Sequence, residues 1–226
     1  MLFLFDIDGT LLRRLPPAHC LAICSACRTV FGIELEAHDL GHTAGMTDSA
    51  IARRALAAHQ VPAAEVEAGL PVFFTAAADA YDELVDADLT AYHTPYAAQA
   101  LAWLTEHGAA LGLVTGNIER IAWRKLGAAQ LSAPFRCGAF GDEAESRDDL
   151  PPLALERARA QFGREFQAQA VYVVGDTPFD IACGVASGLR TIAVATGSEH
   201  TAEHLRACHP DYLIDDLRAL EHLALS

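Results

Sequence analysis

Apolar and polar positions along this chain of 226 residues change rhythm twice. Met1 to Phe5 is a short unbroken apolar run that ends in Asp-x-Asp-Gly-Thr, the pattern of a strand buried on both faces of a parallel sheet. From Pro16 to about Ala87 the apolar residues recur with helical spacing. This predicts helices over Ala18 to Phe31, closed by Gly32, over Ser49 to His59, opened by Thr47-Asp48, and over Ala63 to Val85. The last of these carries a break signal at Gly69-Leu70-Pro71. After Pro95 helix and strand alternate. Strands are predicted at Ala110 to Val114, Arg136 to Phe140, Val171 to Gly175, Thr191 to Ala195 and, weakly, Tyr212 to Ile214, with helices beginning near Pro95, Ile118, Pro151, Pro178, Thr201 and Asp216.

This alternation predicts an α/β fold, a doubly wound, Rossmann-like parallel sheet covered by helices on both faces through right-handed crossovers. The helical stretch after the first strand is far longer than a crossover requires. It reads as an inserted α-helical cap over residues 16–91, hinged near Arg13 to Pro17 and Asp88 to Pro95. Residues 1–15 and 92–226 then form the core.

Composition narrows the partners. Thirty acidic against sixteen basic residues leave a net charge of −14, and 52% hydrophobic residues supply a core. A pI near 5.0 argues against a nucleic-acid groove or an anionic membrane surface, since both need clustered Lys and Arg, and Lys125 is the only lysine. No apolar run approaches the roughly 18 residues of a membrane span. The apolar start meets Asp6 and Asp8 without a basic leader, so a cytoplasmic protein is expected. Six cysteines read as free thiols of a reducing compartment. Cys20, Cys24 and Cys27 have the C-x3-C-x2-C spacing of an iron–sulfur ligand run, but on a helix these positions form one apolar stripe and are expected in the core.

Three polar clusters follow three apolar strands, at the edge where open parallel sheets bind ligands. Asp6 and Asp8 are two residues apart, so both side chains can face one way while Ile7 packs behind. Gly9 permits the turn after them, and Thr10 can hydrogen-bond back onto it. Two such carboxylates repel unless a cation or a proton lies between them. Thr115-Gly116-Asn117 brings a hydroxyl, an amide and backbone N–H groups to a helix start; taken alone this suits capping by Asn117, but beside Asp6 a place for an oxyanion is the better reading. In Gly175-Asp176-Thr177-Pro178-Phe179-Asp180, Thr177, Pro178 and Asp180 suit the first turn of a helix, whereas Asp176 has no structural task. Asp176 beside Asp6 and Asp8 completes an oxygen-donor site for a small hard cation, Mg²⁺ rather than zinc. A nucleophilic carboxylate, a second carboxylate, an anion-binding hydroxyl and a metal carboxylate together perform phosphoryl transfer.

With these residues the sequence resembles the haloacid dehalogenase superfamily of phosphohydrolases: Asp6-x-Asp8-Gly9-Thr10, Leu113-Val114-Thr115-Gly116-Asn117 and Gly175-Asp176-Thr177-Pro178-x-Asp180, in order along the chain. A cap at the first insertion point is similar to the phosphoglycolate phosphatase-like and β-phosphoglucomutase-like members. The resemblance implies that Asp6 attacks phosphorus to give an aspartyl-phosphate, and that Asp8 protonates the leaving oxygen and then activates water. It implies Mg²⁺ held by Asp6, the Asp8 main-chain carbonyl, Asp176 and Asp180. Asp8, crowded by other carboxylates, is expected to have a raised proton affinity, opposed by the metal. A carboxylate two residues after the nucleophile argues against dehalogenation, because a halide leaves without a proton.

The family also places a Lys, less often an Arg, before the helix that precedes the last motif. Arg147 has that neighbourhood, with surface pairing to Glu143, Asp148 or Asp149 as its alternative; Lys125, two helical turns beyond Asn117, is expected to be poorly placed. Arg13 and Arg14 leave the first strand near the site and are candidate substrate ligands beside Thr115, Gly116 and Asn117. The turn Gly45-Met46-Thr47-Asp48 is a helix start first and a substrate loop second, and His19, His42 and His93 are expected to be ordinary. The resulting expectation is a Mg²⁺-dependent phosphatase acting on a small phosphorylated metabolite. Its rivals are a phosphomutase and a non-catalytic phosphate-binding or phospho-acceptor module.

Overall fold

The structure is a computed structural model that describes residues 1–13 and 15–223. Its apolar runs become six strands: β1 (Leu2–Phe5), β2 (Ala110–Val114), β3 (Cys137–Ala139), β4 (Val171–Gly175), β5 (Arg190–Val194) and β6 (Tyr212–Ile214). All pair in parallel in the order β3-β2-β1-β4-β5-β6. The chain therefore winds outward from β1 in both directions, and the crevice at the carboxyl end of β1 is where connections diverge.

β1 is buried on both faces, which is why its sequence does not alternate. Phe3 and Phe5 enter one core layer with α4 (Ala97–Glu106), α5 (Glu119–Ala128) and α9 (Leu220–Leu223). Leu2 and Leu4 enter the opposite layer with α6 (Leu150–Phe162) and α7 (Pro178–Ala186). Each such side chain contributes about 1.5–3 kcal/mol relative to exposure. A short α8 (Ala202–Ala207) lies between β5 and β6.

Between β1 and α4 stand α1 (Ala18–Phe31), α2 (Asp48–Ala58) and α3 (Ala63–Leu84). They enter and leave through two segments joined by hydrogen bonds, Arg13 N–H to Tyr92 O (2.8 Å) and Thr94 N–H to Leu11 O (3.0 Å). The three helices share their own apolar cluster, with Ile23, Cys27, Ile51, Leu56, Phe73 and Tyr81 at its centre. Ile118 and Ile121 join it from the first turns of the β2–α5 region, so this layer rests directly on α5.

α3 runs unbroken through Pro71, against the expected break at Gly69-Leu70-Pro71. Pro71 and Glu67 both lie on the exposed side, so the carbonyl that loses its donor can turn to water. Gly69 serves packing instead: a Cβ there would come 2.5 Å from Phe31 Cζ, so the glycine lets α1 approach α3. Cys24 and Cys27 are buried in the same cluster with Cys20 at its margin, and all are free thiols. Among the described residues no helix is long and apolar enough to cross a membrane.

Candidate active site

Asp6 directly follows β1, its N–H donating to Val174 O (2.9 Å), and its side chain is buried. Arg147 opens a 3-10 turn (Arg147–Asp149) before α6 and reaches back beneath the sheet edge. Its Nη2 lies 3.0 Å from Asp6 Oδ1 and 2.5 Å from Asp180 Oδ1. It also donates to Gly45 O (3.1 Å) and Val114 O (3.3 Å). The surface alternative for Arg147 does not occur with Glu143, whose carboxylate instead pairs with Arg157.

Asp176 follows β4 and accepts a hydrogen bond from Thr10 Oγ1 (3.0 Å). Gly9 makes this approach feasible: its φ is +86°, and a Cβ there would lie 2.1 Å from Asp176 Oδ2. Asp180 forms a capping box with Thr177, its Oδ2 accepting from Thr177 N–H (2.9 Å) and Oγ1 (2.6 Å). Oxygens of Asp6, Asp176 and Asp180, all buried, lie within 4.8 Å of one another. Burial, then repulsion from Asp180 and Asp6, pushes the Asp176 carboxyl up to about 8. Burial also raises Asp6, with Arg147 opposing and Asp180 and Asp8 adding to the rise. Against the cost of its own burial, Asp180 and Asp6 hold Arg147 cationic. Three buried carboxylates with one guanidinium remain short of positive charge, and an all-oxygen donor set of this kind fits a hard divalent cation. Asp6 and Asp176 offer the more accessible oxygens, because both oxygens of Asp180 already accept protein hydrogen bonds.

Asp8 points elsewhere. Its Oδ2 accepts from Lys125 Nζ (2.6 Å) and from Asn117 Nδ2 (2.9 Å). Lys125 is fully buried, and the expectation that it stands away from the site is overturned. The expected separation counted rise along the helix, whereas α5 begins only at Glu119 and a lysine side chain leans back toward the helix N-terminus. The expected raised proton affinity of Asp8 is corrected with it. Burial pushes Asp8 up, but Lys125, His19 and Asn117 together more than offset this, and the carboxyl is held below its ordinary value.

Thr115 and Asn117 are buried beside these groups. Asn117 does not cap α5, since Ile118 N–H goes to Asp48 Oδ2 (2.7 Å) and Glu119 N–H to Asp142 Oδ1 (2.9 Å). Nor is its side chain available to substrate as expected. Its amide donates to Asp8 and to Thr115 Oγ1 (2.6 Å) while its carbonyl accepts from Lys125 (2.6 Å). Gly116 lets the Gly45-Met46-Thr47-Asp48 turn press on the sheet edge: a Cβ would lie 2.0 Å from Met46 O, and Asp48 N–H donates to Gly116 O (2.7 Å).

His19, expected to be ordinary, sits between Asp48 Oδ2 (2.9 Å) and Lys125 Nζ (3.2 Å). No spacing rule connects His19, Asp48 and Lys125, because they come from three helices. Arg13, by contrast, is exposed and spends its guanidinium on Ala91 O (2.5 Å) in the return segment. It braces the linkers and is not among the residues lining the site; Arg14 lies outside the described residues. The site opens into a cavity of about 640 Å³ between the sheet edge and the inserted helices, with Asp6, Asp8, Asp176, Lys125, His19 and Met46 in its walls.

Residues 1–188 match the family model for haloacid dehalogenase-like hydrolases, and the chain belongs to that family. Within it the chain is an enzyme of the phosphoric monoester hydrolase class. A phosphoglycolate phosphatase from Pseudomonas aeruginosa is 30% identical over 226 residues, 97% of this chain and 78% of that protein. One from Pseudomonas fluorescens is 29% identical over 227 residues, with the same coverage. A β-phosphoglucomutase from Clostridium difficile shares the fold at a TM-score of 0.68 and 15% identity, over 96% of this chain and 92% of that one.

Proposed function

We propose that this protein is a Mg²⁺-dependent phosphomonoesterase of small phosphorylated metabolites, with Asp6 as nucleophile and residues 16–91 as a cap over the site. The supporting observation is the pairing of two carboxylates with opposite surroundings: Asp6 beside Arg147 and the acidic cluster, Asp8 beside Lys125 and Asn117. Asp6, Asp176 and the Asp8 carbonyl, with Asp180 behind them, would hold Mg²⁺, which when bound neutralises charge on the transferring phosphoryl group. An Asp6 oxygen forms the new bond to phosphorus as the P–O bond to the alcohol breaks, and the alcohol oxygen takes a proton from Asp8. Water then attacks the aspartyl-phosphate, giving its proton to Asp8 and releasing phosphate and free Asp6. Lys125 favours the ionised Asp8 that this second step needs. Arg147 balances Asp6 throughout.

Phosphoglycolate, the substrate named for the bacterial relatives, is the first ester to assay. The buried thiols suit a reducing compartment, so the metabolite is drawn from the cytoplasm. A panel of phosphorylated metabolites, with Mg²⁺ and after chelation, tests the proposal. Phosphate release that needs Mg²⁺ supports it; full activity after exhaustive chelation refutes the metal, and turnover only with a bisphosphate activator and no phosphate release would make the protein a mutase.

A further inference from the structure

The Lys125 ammonium has three N–H bonds, and three acceptors surround it: Asp8 Oδ2 at 2.6 Å, Asn117 Oδ1 at 2.6 Å and His19 Nδ1 at 3.2 Å. An ammonium offers no lone pair, so at this contact His19 Nδ1 is the acceptor and the imidazole carries its proton on Nε2. Nε2 lies 2.9 Å from Asp48 Oδ2 and donates to it. Asp48 is buried and is itself fixed by Ile118 N–H at 2.7 Å, so the imidazole is oriented from both ends. The His19 ring also packs edge-on to Tyr81, with centroids 5.9 Å apart. His19 and Asp48 belong to α1 and α2 of the inserted helices, whereas Lys125, Asn117 and Asp8 belong to the sheet layer and its α5.

The geometry points to His19 and Asp48 as positioning residues that hold Lys125 on Asp8 when the inserted helices are seated as seen here. His19 takes one N–H of Lys125, which leaves the other two aimed at Asp8 and Asn117. The acid–base carboxylate then has its full set of partners only when substrate space is covered. The inference rests on the proposed role of Asp8, but its physical core, the Asp48–His19–Lys125 chain, does not depend on turnover.

Two measurements test it. Nitrogen-15 spectra of the imidazoles at neutral pH should show the His19 proton on Nε2; a proton on Nδ1 overturns the chain whether or not any ester is hydrolysed. Because a misplacement of about 1 Å can cost about 10²-fold, His19→Phe, which keeps a ring against Tyr81, should lower kcat on an alkyl phosphate by about 10- to 100-fold. KM should change little. The rate of phosphoenzyme formation from p-nitrophenyl phosphate, whose leaving group needs little proton help, should fall far less. Asp48→Asn should show the same split between turnover and phosphoenzyme formation, and the double variant should be no slower than His19→Phe alone. An equal loss in turnover and in phosphoenzyme formation, independent losses that multiply, or wild-type rates would overturn the positioning role. If wild type hydrolyses no phosphate ester, the phosphatase reading fails and the spectrum still decides this inference.

Discussion

Replacing Arg147 by Met removes the only cation placed between Asp6 and Asp180 among the described residues, while keeping much of the side-chain volume. All three side chains are almost completely inaccessible, at 4%, 6% and 2% for Arg147, Asp6 and Asp180. At 3.0 Å and an effective dielectric constant of about 20, the Arg147–Asp6 attraction alone is about 5 kcal/mol before the cost of desolvation. What truncation exposes is the unpaired charge it leaves behind, and the expected loss of stability is about 3–5 kcal/mol. The assay is urea unfolding of metal-free protein, followed by the fluorescence of Trp103 and Trp123, with the urea slope unchanged between variants. The cycle is completed with Asp6→Asn. With one of the two carboxylates neutralised, Arg147→Met should cost about 1–3 kcal/mol less than in wild type. A cost below about 1 kcal/mol, or the same cost in both backgrounds, would show that the guanidinium does not compensate Asp6 and would refute the argument.

Other outcomes follow from the same contacts. Asp6→Asn should abolish turnover in a protein that still folds, by circular dichroism and steady-state assay, whereas Asp8→Asn should lose about 10²- to 10⁴-fold on alkyl phosphates. Arg147→Ala should impair turnover severely and Arg147→Lys should restore part of it, because an ammonium can replace the charge that Nη2 brings to Asp6 and Asp180 but not the planar guanidinium that also reaches Gly45 O through Nη1. Lys125→Met, expected from spacing alone to be silent, should instead lower kcat by about tenfold or more, as Asp8 is left with Asn117 as its remaining side-chain donor among the described residues. Gly9→Ala should cost about 1–3 kcal/mol in thermal or urea unfolding, given its positive φ and the Asp176 oxygen where the Cβ would go.

The sheet and the family were legible in the chain because each depends on short-range pattern. An unbroken apolar β1, strands alternating with helices, and polar residues placed directly after β1, β2 and β4 specify which side chains gather at one sheet edge, since parallel strands all end there. Periodicity also described the inserted helices, but local propensity misread Pro71, whose lost hydrogen bond falls on a solvated face while Leu70 and Phe73 remain buried on the other. The partners of the second carboxylate were not legible at all. Lys125 reaches Asp8 across 117 positions of sequence, and His19 reaches Lys125 across 106. Asn117 reads from its position as an anion ligand or a cap, whereas its side chain joins Asp8, Thr115 and Lys125 while Asp48 and Asp142 take the first amides of the helix. Sequence spacing constrains groups on one strand end or one helix turn. Which long side chain from one helix meets a carboxylate from a distant strand is decided by how the layers pack, and in this protein that packing sets the charge beside Asp8.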